Sequence, residues 1–383
     1  MPLCPSEPRA LFYVHDGFGL GNLRRMHALA AAFARRTAAR CVLVCGSESC
    51  DFFGLTSPRV DRVKLPSLGR DRDGAPTSCL GDIPLVRAMR ARILEVLIDQ
   101  FRPTLVVVDK LPDGAYGELA PLLPLVRRVG AKLALVLRDI LDCPQAVQAE
   151  WERTGRHDIV REFFDAVIVA GSPEVYDLFA ECAFPSSARA KGQYVGYFGY
   201  WLEHRDGLMN GPGARLLITV GGGEDGREVA GRCLDAIAGA ARLRSFTTRI
   251  VCGPRMPAED RRSLRARARR MPSVTVQSAT RRMIDVMKEA DAIITMGGYN
   301  ALCEALSLGR RTIVVPRVAP TQEQSIRAER FERLGWVRKL DLDELGAESL
   351  WDRIARPARD RPDRSHFGGL ARAAAVLGEL SRP

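Results

Sequence analysis

Two glycine-rich segments in the second half of the sequence could bind a phosphate group. Each directly follows an apolar run, in TVGGGEDG at residues 219–226 and in TMGGYNALCEAL at residues 295–306. Glycine lets the backbone approach an anion closely, and the free amides at a helix N-terminus can donate to that anion. The two segments are therefore predicted to hold a diphosphate. Their glycines are Gly221, Gly222, Gly223, Gly297 and Gly298.

Polar side chains that could bind hydroxyl groups follow the second glycine segment. A helix that begins near Tyr299 would carry Glu304 in its second turn, where one carboxylate can accept hydrogen bonds from both hydroxyls of a ribose. After the next apolar run, Glu323 and Gln324 end a loop and could bond several sugar hydroxyls at once. Two structural alternatives stay open. Glu304 could be a charge near a helix N-terminus, and Glu323 and Gln324, the acid–amide pair, could lie in a solvated loop.

A third glycine loop, HDGFGLGN, follows the first apolar run of the chain and could face an acceptor molecule. His15 and Asp16 in this loop could remove a proton, although alternation along LFYVHD points them to opposite sides. Asp109 closes a later strand on the same predicted edge, with pairing to Lys110 or Arg138 as its alternative. His15 and Asp16 also have structural alternatives. His15 could be a residue at the end of a strand, and Asp16 could stabilise a turn. We predict that Gly19, Gly21 and Asp109 lie on the acceptor side of the site. The predicted catalytic residues are His15, Asp16 and Asn22.

The elements that must position these residues alternate between short β-branched strands and helices. Such alternation predicts doubly wound α/β domains with parallel sheets. The first series covers residues 1–198, and the pattern stops at a Gly-rich and aromatic stretch that we interpret as a linker over residues 199–213. A second series covers residues 214–360, and a helical tail follows over residues 361–383. At 383 residues the chain is about twice the usual size of one domain, in agreement with two cores.

Composition narrows the class of protein. The net charge is +11, but the arginines are spread over many helices and no basic and aromatic recognition module occurs, so we expect no nucleic-acid partner. Peripheral membrane contact and the oligomeric state stay open. The ten cysteines form no CxxC pair and the N-terminus shows no signal peptide, so we expect free thiols and a cytoplasmic location. No metal is expected, because Asp71 and Asp73 (DRD) follow no strand.

The segment TMGGYNALCEALSLGRRTIVVPR with QEQSIRA resembles the donor-binding part of glycosyltransferase family 28. The motifs HDGFGLGNLRR, VVVDKLPDGAYGEL, LRDILDCP and PRVAPTQEQSIRAER extend the resemblance to MurG-like glycosyltransferases over about residues 10–350. It implies a GT-B fold, two Rossmann-like domains facing each other across a cleft, and a nucleotide sugar, with UDP preferred and UDP-N-acetylglucosamine as one candidate. It also implies inversion at the anomeric carbon without metal or other cofactor.

The same resemblance assigns roles to individual residues. It puts Glu304 on the ribose, the five glycines near the diphosphate, and Glu323 and Gln324 on the donor sugar. The segment SATRRM would bond the base. The resulting donor-binding set is Gly221, Gly222, Gly223, Thr280, Met283, Gly297, Gly298, Asn300, Glu304, Glu323 and Gln324.

One residue departs from the family pattern. Relatives usually have His where this chain has Asn22, and an amide cannot take a proton at neutral pH. We therefore expect Asp16 to be the base, with His15 second, and Asn22 to position the acceptor, which could be a small molecule, a saccharide or a lipid-linked group. Two alternatives remain, a nucleotide-sugar 2-epimerase or hydrolase on the same fold, and a non-catalytic sugar-nucleotide-binding partner of another transferase.

Overall fold

The chain forms two α/β units, and a computed structural model describes residues 7–14, 20–52, 54, 57–70, 76–199, 214–356 and 358–382. The first unit comprises residues 1–197 and 368–383, and the second comprises residues 198–367. The alternation of strands and helices predicted an α/β fold with two parallel sheets, and this prediction is confirmed. Of the predicted linker, residues 200–213 lie outside the described residues.

The strands at residues 105–109 and 166–170 are buried on both faces, as expected inside a parallel sheet covered by helices. Within the described residues seven strands of the first unit form one parallel sheet in the order β3-β2-β1-β6-β7-β8-β9, and β4 and β5 form a separate antiparallel pair. The strands are β1 (Arg9–Tyr13), β2 (Arg40–Cys45), β3 (Val60–Lys64), β4 (Gly69–Arg70), β5 (Pro76–Thr77), β6 (Leu105–Asp109), β7 (Lys132–Arg138), β8 (Ala166–Ala170) and β9 (Gly192–Tyr194).

Helices pack against this sheet, and the first of them does so with one apolar side. Along the first of them Leu23, Met26, Ala30 and Phe33 are buried, at the spacing that puts them on one face. The second begins after Asp82, whose side chain accepts a hydrogen bond from the Leu85 amide. The helices are α1 (Gly21–Thr37), α2 (Ile83–Phe101), α3 (Leu123–Arg128), α4 (Pro144–Arg153), α5 (Arg156–Phe163), α6 (Leu178–Glu181) and α7 (Ser186–Arg189).

The second unit is also a parallel sheet with helices, and its sheet has fewer strands. In the described part of this unit six parallel strands lie in the order β12-β11-β10-β13-β14-β15. The strands are β10 (Arg215–Thr219), β11 (Thr247–Val251), β12 (Val274–Gln277), β13 (Ala292–Thr295), β14 (Arg311–Val314) and β15 (Arg338–Lys339). The helices are α8 (Arg227–Gly239), α9 (Ala241–Arg244), α10 (Ala258–Ala268), α11 (Met283–Glu289), α12 (Tyr299–Ser307), α13 (Glu323–Arg333) and α14 (Ala347–Ala355).

The last helix, α15 (Gly369–Leu380), belongs to the first unit although it follows the second in sequence. It packs against α1. The Gly369 amide donates to the Tyr197 carbonyl at 3.0 Å, and the Arg372 side chain donates to the Val195 carbonyl at 2.5 Å. The apolar pattern of the tail predicts a helix but does not predict this partner.

Candidate functional site

The two predicted phosphate loops leave neighbouring strands at the same edge of the second sheet. Thr219, the last residue of β10, pairs with Thr295, the last residue of β13. The sheet order runs β10-β11-β12 to one side of this pair and β13-β14-β15 to the other. In open α/β sheets ligands bind at the carboxyl ends of the strands where the order reverses. The glycine loops after β10 and β13 lie at this point.

Glycines of the first loop have two different surroundings. A Cβ atom on Gly223, where φ is +98°, would lie 2.3 Å from the Cys252 carbonyl oxygen, so only glycine allows the loops after β10 and β11 to approach this closely. A Cβ atom on Gly221 would meet nothing within 4 Å, and the Gly222 carbonyl accepts a hydrogen bond from the Arg255 amide. Gly223 therefore holds the loop in place, while Gly221 leaves backbone accessible to a ligand.

Helix α12 begins directly after the second loop and brings Glu304 to the same region. Gly298, which has no side chain, precedes its first residue as the N-cap, and its first turn contains no acidic residue. Asn300 in that turn is half-buried, whereas the Glu304 side chain in the second turn is buried. The predicted start of the helix near Tyr299 is confirmed. Glu304 is thus not an exposed surface charge near a helix end.

Glu323 and Gln324 begin α13 and are both buried, so the alternative of a solvated loop is wrong. The Arg317 amide donates to Gln324 Oε1 at 3.3 Å. Glu323 lies between two guanidinium groups, 3.7 Å from Arg317 Nη2 and 3.9 Å from Arg327 Nη2. A Cβ atom on Gly297 would lie 3.6 Å from Gln324 Cβ. The acid–amide pair therefore lies against the second glycine loop.

Two ion pairs stabilise the first glycine loop. They were not predicted from the sequence. Arg317, from the loop after β14, pairs with Asp225, and Arg255 Nη2 lies 2.8 Å from Glu224 Oε1. Both carboxylates belong to GGGEDG, and this acidic pair after the glycines is the signal that could have suggested basic partners on neighbouring loops. These contacts hold the loops after β10, β11 and β14 together at one edge.

Thr280 and Met283 lie at the carboxyl end of β12, which β11 separates from β10. Thr280 Oγ1 accepts a hydrogen bond from the Arg282 amide at 3.0 Å, and Met283 is the first residue of α11. Both are half-buried. They share the sheet edge with the glycine loops, and no described contact joins them to those loops.

A buried ion pair lies at the carboxyl end of β6, in the sheet of the first unit. Asp109 at the end of β6 pairs with Arg25 of α1, and both side chains are almost completely buried. Arg25 Nη2 also donates to Asn22 Oδ1 at 3.1 Å, and Gly21 is the exposed first residue of the helix. The structural alternative for Asp109 was a pair with Lys110 or Arg138, and the structure shows a pair with Arg25 of α1.

Several predicted residues lie outside the described part of the chain. They are His15, Asp16, Gly19, Asp71 and Asp73. In the part that the structure describes, no group of three or more His, Cys, Asp or Glu side chains could hold a metal ion. Among the helices of the described residues, none combines the length and the hydrophobicity that a membrane-spanning helix needs.

The described cysteines are free thiols, as the sequence predicted, and most of them are buried. Burial raises the pKa of Cys41 and of Cys233 to about 12 in each case. A thiol with so high a pKa is a poor nucleophile. These two cysteines therefore pack as small apolar side chains.

Comparison with known families identifies the second unit. Residues 217–365 match the model described as glycosyltransferase family 28 C-terminal domain. A curated relative, the NDP-glycosyltransferase YjiC of Bacillus subtilis (strain 168), is 29% identical over 104 residues. That segment is 24% of this chain and 26% of the relative, so the similarity spans about a quarter of the relative's length.

Solved structures resemble the chain over nearly its whole length. The calicheamicin glycosyltransferase CalG4 has a TM-score of 0.63 at 19% identity, with 98% of both chains covered. UGT2 of Phytolacca americana has a TM-score of 0.60 at 12% identity, with 97% of this chain and 94% of that chain covered. MurG of Acinetobacter baumannii has a TM-score of 0.55 at 13% identity, covering 96% of this chain and 95% of its own.

The solved structures share less than 20% identity with the chain, so their similarity establishes its fold alone. The match to the family model concerns residues 217–365. The resemblance to family 28 that the motifs suggested is confirmed. Residues 217–365 are a glycosyltransferase family 28 C-terminal domain, and the chain has the α/β fold of the GT-B glycosyltransferases.

Proposed function

We propose that the protein is a glycosyltransferase that moves a sugar from a nucleoside diphosphate donor to an acceptor. One observation carries this proposal. The carboxyl ends of three adjacent strands, β10, β13 and β14, bring together residues that are far apart in sequence. These residues belong to the two glycine loops, to α12 and to the start of α13. The family match over the same residues supports the assignment.

Each group has a role in this proposal. Backbone amides of the two glycine loops and of α12 bind the diphosphate, Glu304 accepts the ribose hydroxyls, and Glu323 and Gln324 bind the donor sugar. Thr280 and Met283 flank the base. We propose uracil as that base, because the similar UGT2 structure is complexed with UDP-2fluoro-glucose and the curated relative is an NDP-glycosyltransferase.

The reaction that we propose breaks the bond between the anomeric carbon and the β-phosphate oxygen. An acceptor oxygen or nitrogen attacks the opposite face of the sugar, which inverts the configuration, and the nucleoside diphosphate leaves. Amides and a helix N-terminus can stabilise the leaving charge without a cation. The acceptor proton goes to a base, for which we propose Asp16, with His15 as second choice and Asn22 holding the acceptor.

The first experiment is a screen of nucleoside diphosphates and nucleotide sugars for thermal stabilisation, followed by turnover of the best donor with candidate acceptors. Release of nucleoside diphosphate only when an acceptor is present supports transfer. Release without an acceptor supports a hydrolase or epimerase, and donor binding without any turnover supports a non-catalytic partner. The absence of binding by every nucleotide would contradict the proposal.

Glu304→Gln is expected to weaken UDP binding by about 1–1.5 kcal/mol, because a neutral amide oxygen replaces the charged acceptor and the hydrogen bond that it accepts is weaker by about that amount. The substitution keeps the size of this buried side chain and removes its charge, so the fold should be retained. Calorimetry with UDP measures the effect. Glu344→Gln, at an exposed position of the same unit, is the matched control and should bind UDP like the wild type. Equal affinity in both variants would remove Glu304 from the site.

Gln324→Ala is expected to leave UDP affinity nearly unchanged and to lower kcat/KM for the UDP-sugar by roughly tenfold, the effect of losing one or two hydrogen bonds. Gln324 lies beside the second glycine loop, and in the proposed arrangement its amide binds the sugar and not the nucleotide. Parallel calorimetry and steady-state kinetics separate the two effects. A large loss of UDP affinity would contradict this division of roles.

A further inference from the structure

Arg327 is a completely buried cation beside the second glycine loop, and it has no role in the proposed transfer described above. Its Nη1 donates to the Gly297 carbonyl oxygen at 3.0 Å. Its Nη2 lies 3.9 Å from Glu323 Oε2, and its guanidinium carbon lies 5.7 Å from the centre of the Tyr299 ring. A buried charge is costly unless it is paired, so these contacts fix the guanidinium in one place.

The carbonyl that Arg327 binds belongs to the peptide between Gly297 and Gly298. In a trans peptide the C=O and the N–H point in opposite directions, and the cis peptide of the described chain lies elsewhere, at Ala319–Pro320. Gly297 has a φ of +84°, and a Cβ atom there would lie 2.9 Å from Val314 Cγ1, so this orientation of the peptide requires glycine. Because Arg327 holds the C=O end, the Gly298 N–H points away from Arg327.

The Gly298 N–H makes no hydrogen bond to any residue that the structure describes. A Cβ atom on Gly298 would also meet no heavy atom within 4 Å. An accessible amide therefore lies at the start of α12, next to open space. These two observations are independent of the position of Arg327, and both indicate a place for a hydrogen-bond acceptor.

We propose that Arg327 is a positioning residue that orients and polarises the Gly297–Gly298 peptide, so that the Gly298 N–H binds an oxygen of the donor diphosphate. A hydrogen bond from a cation to a peptide carbonyl strengthens the donor at the other end of that peptide. Arg327 itself stays in the interior and touches no ligand. This inference rests on the proposed function.

The test compares UDP with uridine, which has the same base and ribose but no phosphate. Arg327→Met should raise the Kd for UDP roughly tenfold or more and change the Kd for uridine less than twofold. Arg333→Met, at an exposed position of the same helix, is the matched control and should bind both like the wild type. A variant that binds UDP like the wild type, or that loses UDP and uridine equally, would overturn the inference.

A second variant covers the case in which Arg327→Met does not fold. Gly298→Pro replaces the N–H with a ring carbon, and the backbone can accept it because Gly298 has a φ of −59° that proline adopts readily. It should weaken UDP binding to a similar degree and leave uridine binding unchanged. Arg327→Lys keeps the charge and can still donate a hydrogen bond, but without the planar fork of the guanidinium, so its Kd for UDP should lie between those of the wild type and Gly298→Pro.

The double variant tests whether the two residues act through the same hydrogen bond. In the Gly298→Pro background, Arg327→Lys should weaken UDP binding by less than twofold further, because the N–H that it would position is already absent. Fully additive losses would overturn the inference. If the wild type binds UDP but these variants do not behave as stated, the role of Arg327 fails alone. If the wild type binds neither UDP nor any other nucleoside diphosphate, the proposed function fails.

Discussion

Arg25→Met is expected to lower the free energy of unfolding by about 3–5 kcal/mol, because it leaves the Asp109 carboxylate buried without its cation. Both side chains are almost completely inaccessible to water, and Arg25 also holds Asn22 through its second contact. Urea unfolding followed by circular dichroism measures the loss. Arg35→Met, at an exposed position of the same helix, should change stability by less than about 0.5 kcal/mol.

The double variant Arg25→Met/Asp109→Leu should recover most of that loss, since an apolar pair of similar volume often replaces a buried ion pair without cost. It also separates two roles of Asp109. If Asp109 only pairs with Arg25, the double variant keeps the chemical rate and shows a changed acceptor KM, because Asn22 has lost its partner. If the stable double variant has no turnover, Asp109 takes part in proton transfer.

Gly223→Ala is expected to destabilise the second unit by roughly 3 kcal/mol or more and to abolish UDP binding. The new methyl would lie 2.3 Å from the Cys252 carbonyl oxygen, at a backbone conformation that alanine rarely adopts. Strained φ values and overpacking each cost about 1–3 kcal/mol. Thermal unfolding and calorimetry with UDP measure the two effects.

Gly221→Ala in the same loop is the matched control. Its Cβ atom would meet nothing within 4 Å, although its φ of +65° is also left-handed, so we expect a loss of about 1 kcal/mol in stability. UDP binding should still weaken, since the methyl would occupy space that the ligand needs. If Gly221→Ala binds UDP like the wild type, the backbone at Gly221 does not face the diphosphate.

Local sequence was sufficient to predict the strands that carry the site. β-branched runs such as RLLIT and AIIT form β10 and β13, and a helix does begin at Tyr299. The adjacency of the two glycine loops follows from the order of parallel strands, which alternation of strands and helices suggests. The short edge strands β9 and β15 were not predicted, since three and two residues give too little pattern.

Pairing between distant residues could not be predicted from one sequence. Asp109 could have been assigned to several arginines or lysines, and only the packing of α1 on the sheet selects Arg25. Arg327 reads as one of many arginines on a charged helix, and its complete burial depends on how α13 packs beside Gly297. Charge pairs depend on three-dimensional distance, which sequence spacing does not encode when the partners lie on different elements.

The position of α15 has a consequence for the order in which the protein folds during synthesis. Residues 198–367 form a continuous stretch, so the second unit can fold as soon as its own chain has left the ribosome. The first unit emerges earlier but lacks the helix that packs against α1 until the C-terminal residues are made. Until then the side of α1 that α15 covers stays exposed.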